Sequence, residues 1–233
     1  MQRINDKGQT LEEFLSEYDV NRYPRPSIAV DMAVFTLIGD SLGLLLIERR
    51  DHPCIGEWAL PGGFLEIDEE VSRAVDRELS EETGVKGLKF RPVGVFAKVG
   101  RDPRTRTVSL THMAVAPERS LAPKAGDDAR DARLFLLKTG RNNDFTVRLT
   151  ALTDPALTLE YSANISYDAF SGYNVNAEKG DLAFDHSLLL THALLELVNI
   201  DRNTANTLLN PNESSRAAAV LAKLEQDIRP NNF

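Results

Sequence analysis

Hydrophobic positions recur along this chain with two periods, one helical and one extended, and their order predicts the elements. Near the start, Leu11, Phe14, Leu15 and Tyr18 fall on one helix face, and Thr10 with Glu13 supplies a capping box ahead of them. Tyr23-Pro24-Arg25-Pro26 ends this arm, because each proline lacks a donor and biases the residue before it towards extended geometry. Residues 27–38 and 43–49 are apolar and rich in β-branched residues and leucine around Gly39-Asp40-Ser41, the pattern of two strands and a turn. Helical spacing returns over residues 71–82, where Val71, Ala74, Val75 and Leu79 face a core and Gly84 provides the stop. Further strands are expected at residues 88–99, 107–116 and 132–137.

Residues 145–149, 157–161 and 165–167 read as short strand-like pieces, broken at Asp154-Pro155 and at the polar run 162–164. They imply an inserted hairpin region within about residues 138–180. A leucine-rich helix is expected over 185–198 with Asp185 as its N-cap, and an amphipathic helix over 214–227. The order predicts an α/β sandwich with a mixed sheet and C-terminal helices. The expected divisions are an N-terminal helical arm over 1–22, a main domain over 23–200 and a helical tail over 201–233.

Composition narrows the function classes. With 42% hydrophobic and 27% charged residues the chain has ordinary globular values, and no stretch approaches the roughly 18 apolar residues of a membrane helix. The polar N-terminus lacks the basic-then-apolar order of a secretory signal, so a cytoplasmic location is expected. A net charge of -8 argues against non-specific binding of nucleic acid or anionic membranes. Cys54 cannot form an internal disulfide, and His52, His112, His186 and His192 lack zinc-like spacing; none is given a role.

The chemistry concentrates on the helix over 71–82. Glu78, Glu81 and Glu82 stand at i, i+3 and i+4, which brings three like charges onto one face. Such a face needs compensation, and hard divalent cations with oxygen ligands supply it; magnesium fits best, with manganese an alternative. Pro61-Gly62-Gly63 before the helix lets the backbone approach a phosphate or metal closely, and Arg77 can grip a carboxylate with both prongs. Outside the helix, Arg101, Arg104 and Arg106 present planar forks suited to phosphate in an otherwise acidic protein. Asp127 and Asp128 can add a ligand or base, and Trp58 can stack on a nucleobase.

Gly63, Glu69 and Arg77-Glu78-Leu79-Ser80-Glu81-Glu82-Thr83-Gly84-Val85 fill every defined position of a known signature, and the chain resembles the Nudix hydrolase superfamily. The segments 101–106, 125–129 and Leu182-Ala183-Phe184-Asp185-His186 resemble its ADP-ribose pyrophosphatase-like branch. The resemblance implies a loop-helix-loop that binds divalent metal and hydrolyses the diphosphate bond of ADP-ribose or a related nucleoside diphosphate derivative. On it, Gly63, Glu78, Glu81 and Glu82 are the metal ligands, while Glu81, Arg77 and Asp128 are the catalytic candidates. Arg50, Trp58, Arg101, Arg104 and Asp127 are the candidates for substrate contact. A homodimer is a possible assembly. The rival reading is a Nudix-related regulator of NAD metabolism that senses ADP-ribose and carries a DNA-binding winged helix. Residues 201–233 are short and mixed in charge, which favours the enzyme.

Overall fold

A computed structural model describes residues 3–126, 128–200 and 214–229. After helix α1 (Leu11–Glu17) come strands β1 (Ser27–Ile38), β2 (Ser41–Arg49), β3 (Trp58–Ala59) and β4 (Gly62–Phe64). Helix α2 (Val71–Thr83) precedes β5 (Arg91–Phe96), β6 (Thr107–Val115) and β7 (Ala129–Arg141). The chain continues through β8 (Phe145–Ala151), β9 (Thr158–Asp168), β10 (Gly172–Ala177), α3 (His186–Asn199) and α4 (Ser214–Ile228). One sheet runs in the order β10-β9-β8-β7-β2-β1-β6-β5, with β3 paired to β2 and β4 to β1. The β1–β6 pair is parallel and the other pairs are antiparallel, so the sheet is mixed as expected.

Helices cover both faces of the sheet, which is why β2 is buried almost without interruption. Alternation along β1 sends Val30, Met32 and Val34 into the core shared with Ala74, Val75 and Leu79 of α2. Ala33 and Phe35 point to the opposite core, which receives Leu189, Leu190 and Leu194 of α3 and Leu224 and Ile228 of α4. Arg141 fastens α4 by donating to the carbonyls of Asp227 at 2.8 Å and Ile228 at 3.2 Å, and Thr139 donates to the Asp227 carboxylate at 2.6 Å. These bonds meet the free carbonyls that every helix end leaves.

The region 138–180 is made of antiparallel hairpins in which β8, β9 and β10 lengthen the main sheet beyond β7. One expectation needs correction. The polar run 162–164, read as a break, lies inside β9, because Leu159, Tyr161, Ala163 and Ile165 alternate inward while the polar residues between them face out. Asp185 does occupy the N-cap position of α3, but its side chain makes no capping bond and is committed to Arg101 instead. In α1 both bonds of the capping box are present, yet Leu11, Phe14, Leu15 and Tyr18 are exposed, so the arm's apolar face meets no core.

Candidate functional site

The acidic helix is held at its C-terminal end and along its acidic face. Gly84, at φ 72°, closes α2 by donating its N–H to the Ser80 carbonyl at 2.9 Å. Beyond it, Lys124 and Gly126 donate to the carbonyls of Thr83 at 2.8 Å and Glu82 at 3.1 Å, which draws the segment before β7 against the helix. In front of α2, β4 pairs with β1, Gly62 opposite Asp31 and Gly63 opposite Val30. A side chain at Gly62 would put its Cβ 2.2 Å from the Val30 carbonyl oxygen, and one at Gly63 would lie 2.4 Å from the Glu78 carboxyl group. Glycine at both positions is therefore what lets this turn sit beneath the acids.

A cleft of about 300 Å³ opens there, and Gly62, Gly63, Glu78, Glu81 and Glu82 line it together with Arg77. Arg49, Arg104 and Asp128 line the same cleft, with Phe64 and Phe184 among the other lining residues. Arg77 organises the acidic side. Its guanidinium donates to Glu69 at 2.8 and 2.9 Å, to Glu78 at 2.8 Å, to Glu81 at 3.1 Å and to the Phe64 carbonyl at 3.0 Å. The bond from Arg77 holds the Glu69 carboxyl below its ordinary range, and Glu69 in turn raises Arg77.

Glu82 has a different environment. Its carboxylate accepts from Gly62 N–H at 2.7 Å and is almost fully buried. Burial pushes it well above the usual carboxylate range; the Gly62 bond opposes this, and the charges of Glu78 and Asp31 add to the rise. The described acidic, histidine and cysteine side chains do not converge in groups of three on a common point, and Arg77 and the Gly62 N–H engage the carboxylates of Glu78, Glu81 and Glu82. The donor set nevertheless suits a hard divalent ion. It offers carboxylate oxygens beside a glycine turn, one of them destabilised as an anion by burial and by neighbouring acids.

The candidate substrate residues divide. Arg104 faces the cleft, 43% exposed, with its guanidinium 5.0 Å from the Phe64 ring and 5.8 Å from Phe184, while Asp102 accepts from it at 2.8 Å. Burial would raise Asp102, but the Arg104 bonds outweigh it and hold that carboxyl low. Arg101 also lines the cleft, but it is only 5% exposed and its Nε and Nη2 donate to Asp185 at 3.0 and 2.7 Å, so one edge of its fork is engaged by protein. Trp58 is buried edge-on to Phe135 at 4.8 Å, in the core rather than at the cleft. Arg50 is exposed and donates to the Ala129 carbonyl at 2.9 Å; its neighbour Arg49 lines the cleft instead. Asp127 lies outside the described residues.

Sequence reasoning missed Asp31 and His186, which form the cleft's floor. Asp31 is a buried acid in an otherwise apolar strand, and that isolation in residues 27–38 is the signal that marks it. Ser109 donates to it in a short bond, His186 Nε2 lies 3.5 Å away and Arg101 3.8 Å away.

A family model of the NUDIX domain matches residues 28–148, more than half of the chain. The protein belongs to the Nudix family. Among Nudix relatives, it is 30% identical over 205 residues to the ADPR responsive transcriptional repressor NtrR of Acinetobacter baylyi, covering 87% of this chain and 66% of that protein. It is 40% identical over 113 residues to an ADP-ribose pyrophosphatase of Methanocaldococcus jannaschii, covering 48% of this chain and 63% of that one. The matched regions thus span just under two thirds of both relatives. A MutT/nudix family protein from Enterococcus faecalis superposes with a TM-score of 0.72 at 28% identity over 92% of this chain and 82% of that chain. The NUDIX domain of Shewanella oneidensis NrtR, solved with ADP ribose, shares the fold at a TM-score of 0.59 and 24% identity, covering 81% of this chain and all but 1% of that domain (99%). No described helix is long and apolar enough to cross a membrane.

Proposed function

We propose that this Nudix protein is a divalent-metal-dependent hydrolase of ADP-ribose or a related nucleoside diphosphate derivative, with magnesium as the working ion. The observation that carries the reading is that one cleft joins the complete acidic set Glu78, Glu81 and Glu82 to the cations Arg49 and Arg104. The carboxylates, with the Gly63 carbonyl, would hold the ion, which when bound neutralises phosphate charge and makes water more acidic. Arg104, planar and half exposed, binds a phosphate oxygen pair or a ribose hydroxyl, and Arg49 presents a second cation beside it. Attack of water on one phosphorus breaks the bridging P–O bond and yields two monophosphates. Either Glu81, held by Arg77, or Asp128, which lines the same cleft, takes the water's proton.

A second reading has its own support: the relative matched over 87% of this chain is a transcriptional repressor responsive to ADPR. In that reading the cleft binds ADP-ribose as a signal and the protein has a DNA partner, contrary to the expectation drawn from net charge. The described part of the tail, α4, mixes Arg216 and Lys223 with Glu225 and Asp227, which favours the enzyme. Turnover of ADP-ribose, NADH and nucleoside triphosphates with magnesium tests the first reading. The enzyme reading is overturned by absent turnover combined with salt-sensitive binding to a defined DNA sequence that ADP-ribose releases.

A further inference from the structure

The segment that opens α3 is bound to the turn beneath the acidic helix in an unusual way. Ala183 donates its N–H to the Trp58 carbonyl at 2.8 Å, in a short parallel bridge between Trp58 and Leu182. Two residues beyond Trp58, the next inward N–H is that of Leu60, and a continuing strand would offer it a carbonyl. Its acceptor is instead the imidazole of His186, at 2.9 Å from N to Nδ1. A buried amide left without an acceptor is costly, so the ring stands in for a missing strand residue. Since Nδ1 accepts, the ring's proton sits on Nε2, which is turned to Asp31 at 3.5 Å. Burial keeps the ring neutral by lowering its proton affinity, although Asp31 and Asp185 pull the other way.

The two residues bracket one turn. His186 fixes Leu60, the Pro61 carbonyl accepts from Met32 N–H at 2.8 Å, and Asp31 is the strand partner of Gly62. Gly62 then donates to Glu82, and Gly63 lies against Glu78. A shift of Leu60 therefore carries directly into the backbone that faces the carboxylates. We propose that His186, supported by Asp31, is a positioning residue that sets the Leu60-Pro61-Gly62-Gly63 turn for divalent-cation binding. The inference rests on the metal-binding reading of the cleft.

The test measures Mn2+ binding to the full chain by electron paramagnetic resonance of the free ion, without substrate. His186→Leu keeps bulk but removes the acceptor, and His186→Asn restores one through its side-chain carbonyl. Outer partners of this kind change metal affinity by roughly 10–100-fold, so Leu should weaken Mn2+ binding at least about tenfold while Asn recovers most of it. Equal affinity in wild type and the Leu variant overturns the inference, and so does an Asn variant as weak as Leu, since both results leave only packing. If wild type itself binds no Mn2+, the metal reading of the cleft fails first, which separates the two failures. The 15N spectrum of the wild-type ring decides the point if the Leu variant does not fold: a bare Nδ1 and a protonated Nε2 are expected, and a proton on Nδ1 overturns the proposal.

Discussion

Replacing Gly63 with alanine separates the acidic cluster's geometry from its charge. The added Cβ would lie 2.4 Å from Cδ and both carboxylate oxygens of Glu78. An ordinary carbon–oxygen contact needs about 3.2–3.4 Å, so the carboxylate must retreat by about 1 Å, well beyond the slack of a close-packed site. That retreat breaks its 2.8 Å bond to Arg77 and withdraws one of the proposed metal ligands, and the three atoms nearest the added Cβ all belong to this side chain rather than to backbone. Gly63 also lacks a positive φ, so alanine causes no conformational strain there. A 1 Å misplacement in an active site costs on the order of a hundredfold in rate, whereas loss of one partly exposed charged bond costs about 1 kcal/mol. In a chain of this size that energy lowers the melting temperature by roughly 2–4 °C. Gly63→Ala should therefore melt almost like wild type and hydrolyse ADP-ribose about a hundred times more slowly at saturating magnesium. A variant with wild-type turnover would show that Glu78 does not have to occupy its observed position, and the ligand assignment would fall with it.

Other substitutions probe separate parts of the site. Glu82→Gln keeps an acceptor for Gly62 N–H and removes an acid that burial disfavours; turnover should fall about a hundredfold or more with no loss in thermal stability. A lower melting temperature would contradict that account. Arg101→Ala leaves Asp185 and Asp31 in a buried site without their cation, which costs about 3–5 kcal/mol, so calorimetry should register a fall of roughly 10 °C. Arg104→Ala, at the cleft's rim, should raise the Michaelis constant with an unchanged melt, and lysine should rescue it only partly. Arg141→Ala removes the donor to the carbonyls ending α4; limited proteolysis should cut near α4 sooner, and an unchanged digest would refute that role.

What the sequence disclosed is what neighbouring residues decide. Helix α2, its glycine stop and its row of acids are local in origin, and the capping box of α1 formed as written. The parts that escaped depend on distant partners. Leu60 meets His186 across 126 positions and Ser109 meets Asp31 across 78, separations that no periodicity encodes. Arg49 and Arg50 differ only in which side of the strand end they leave by, so a choice between them needs the register of β2 against β7. Arg101 looked free because Asp185, which engages one edge of its fork, lies 84 residues later.

The sheet's wiring also governs the order in which this protein can assemble. β1 must find β6 as a parallel neighbour, Ser27 opposite Thr107 and Phe35 opposite Val115, and β2 must find β7, Leu42 opposite Leu137. Hairpins β7–β8–β9–β10 close over short loops and can form early, whereas these two central pairings must pay long loop-closure entropy first. Such topologies fold in milliseconds to seconds rather than microseconds. The acids of α2 share a face by local spacing alone, whereas the floor made by Asp31, Ser109 and His186 exists only once the central strands have met. A chain caught short of that step would carry the whole Nudix signature and still lack a site.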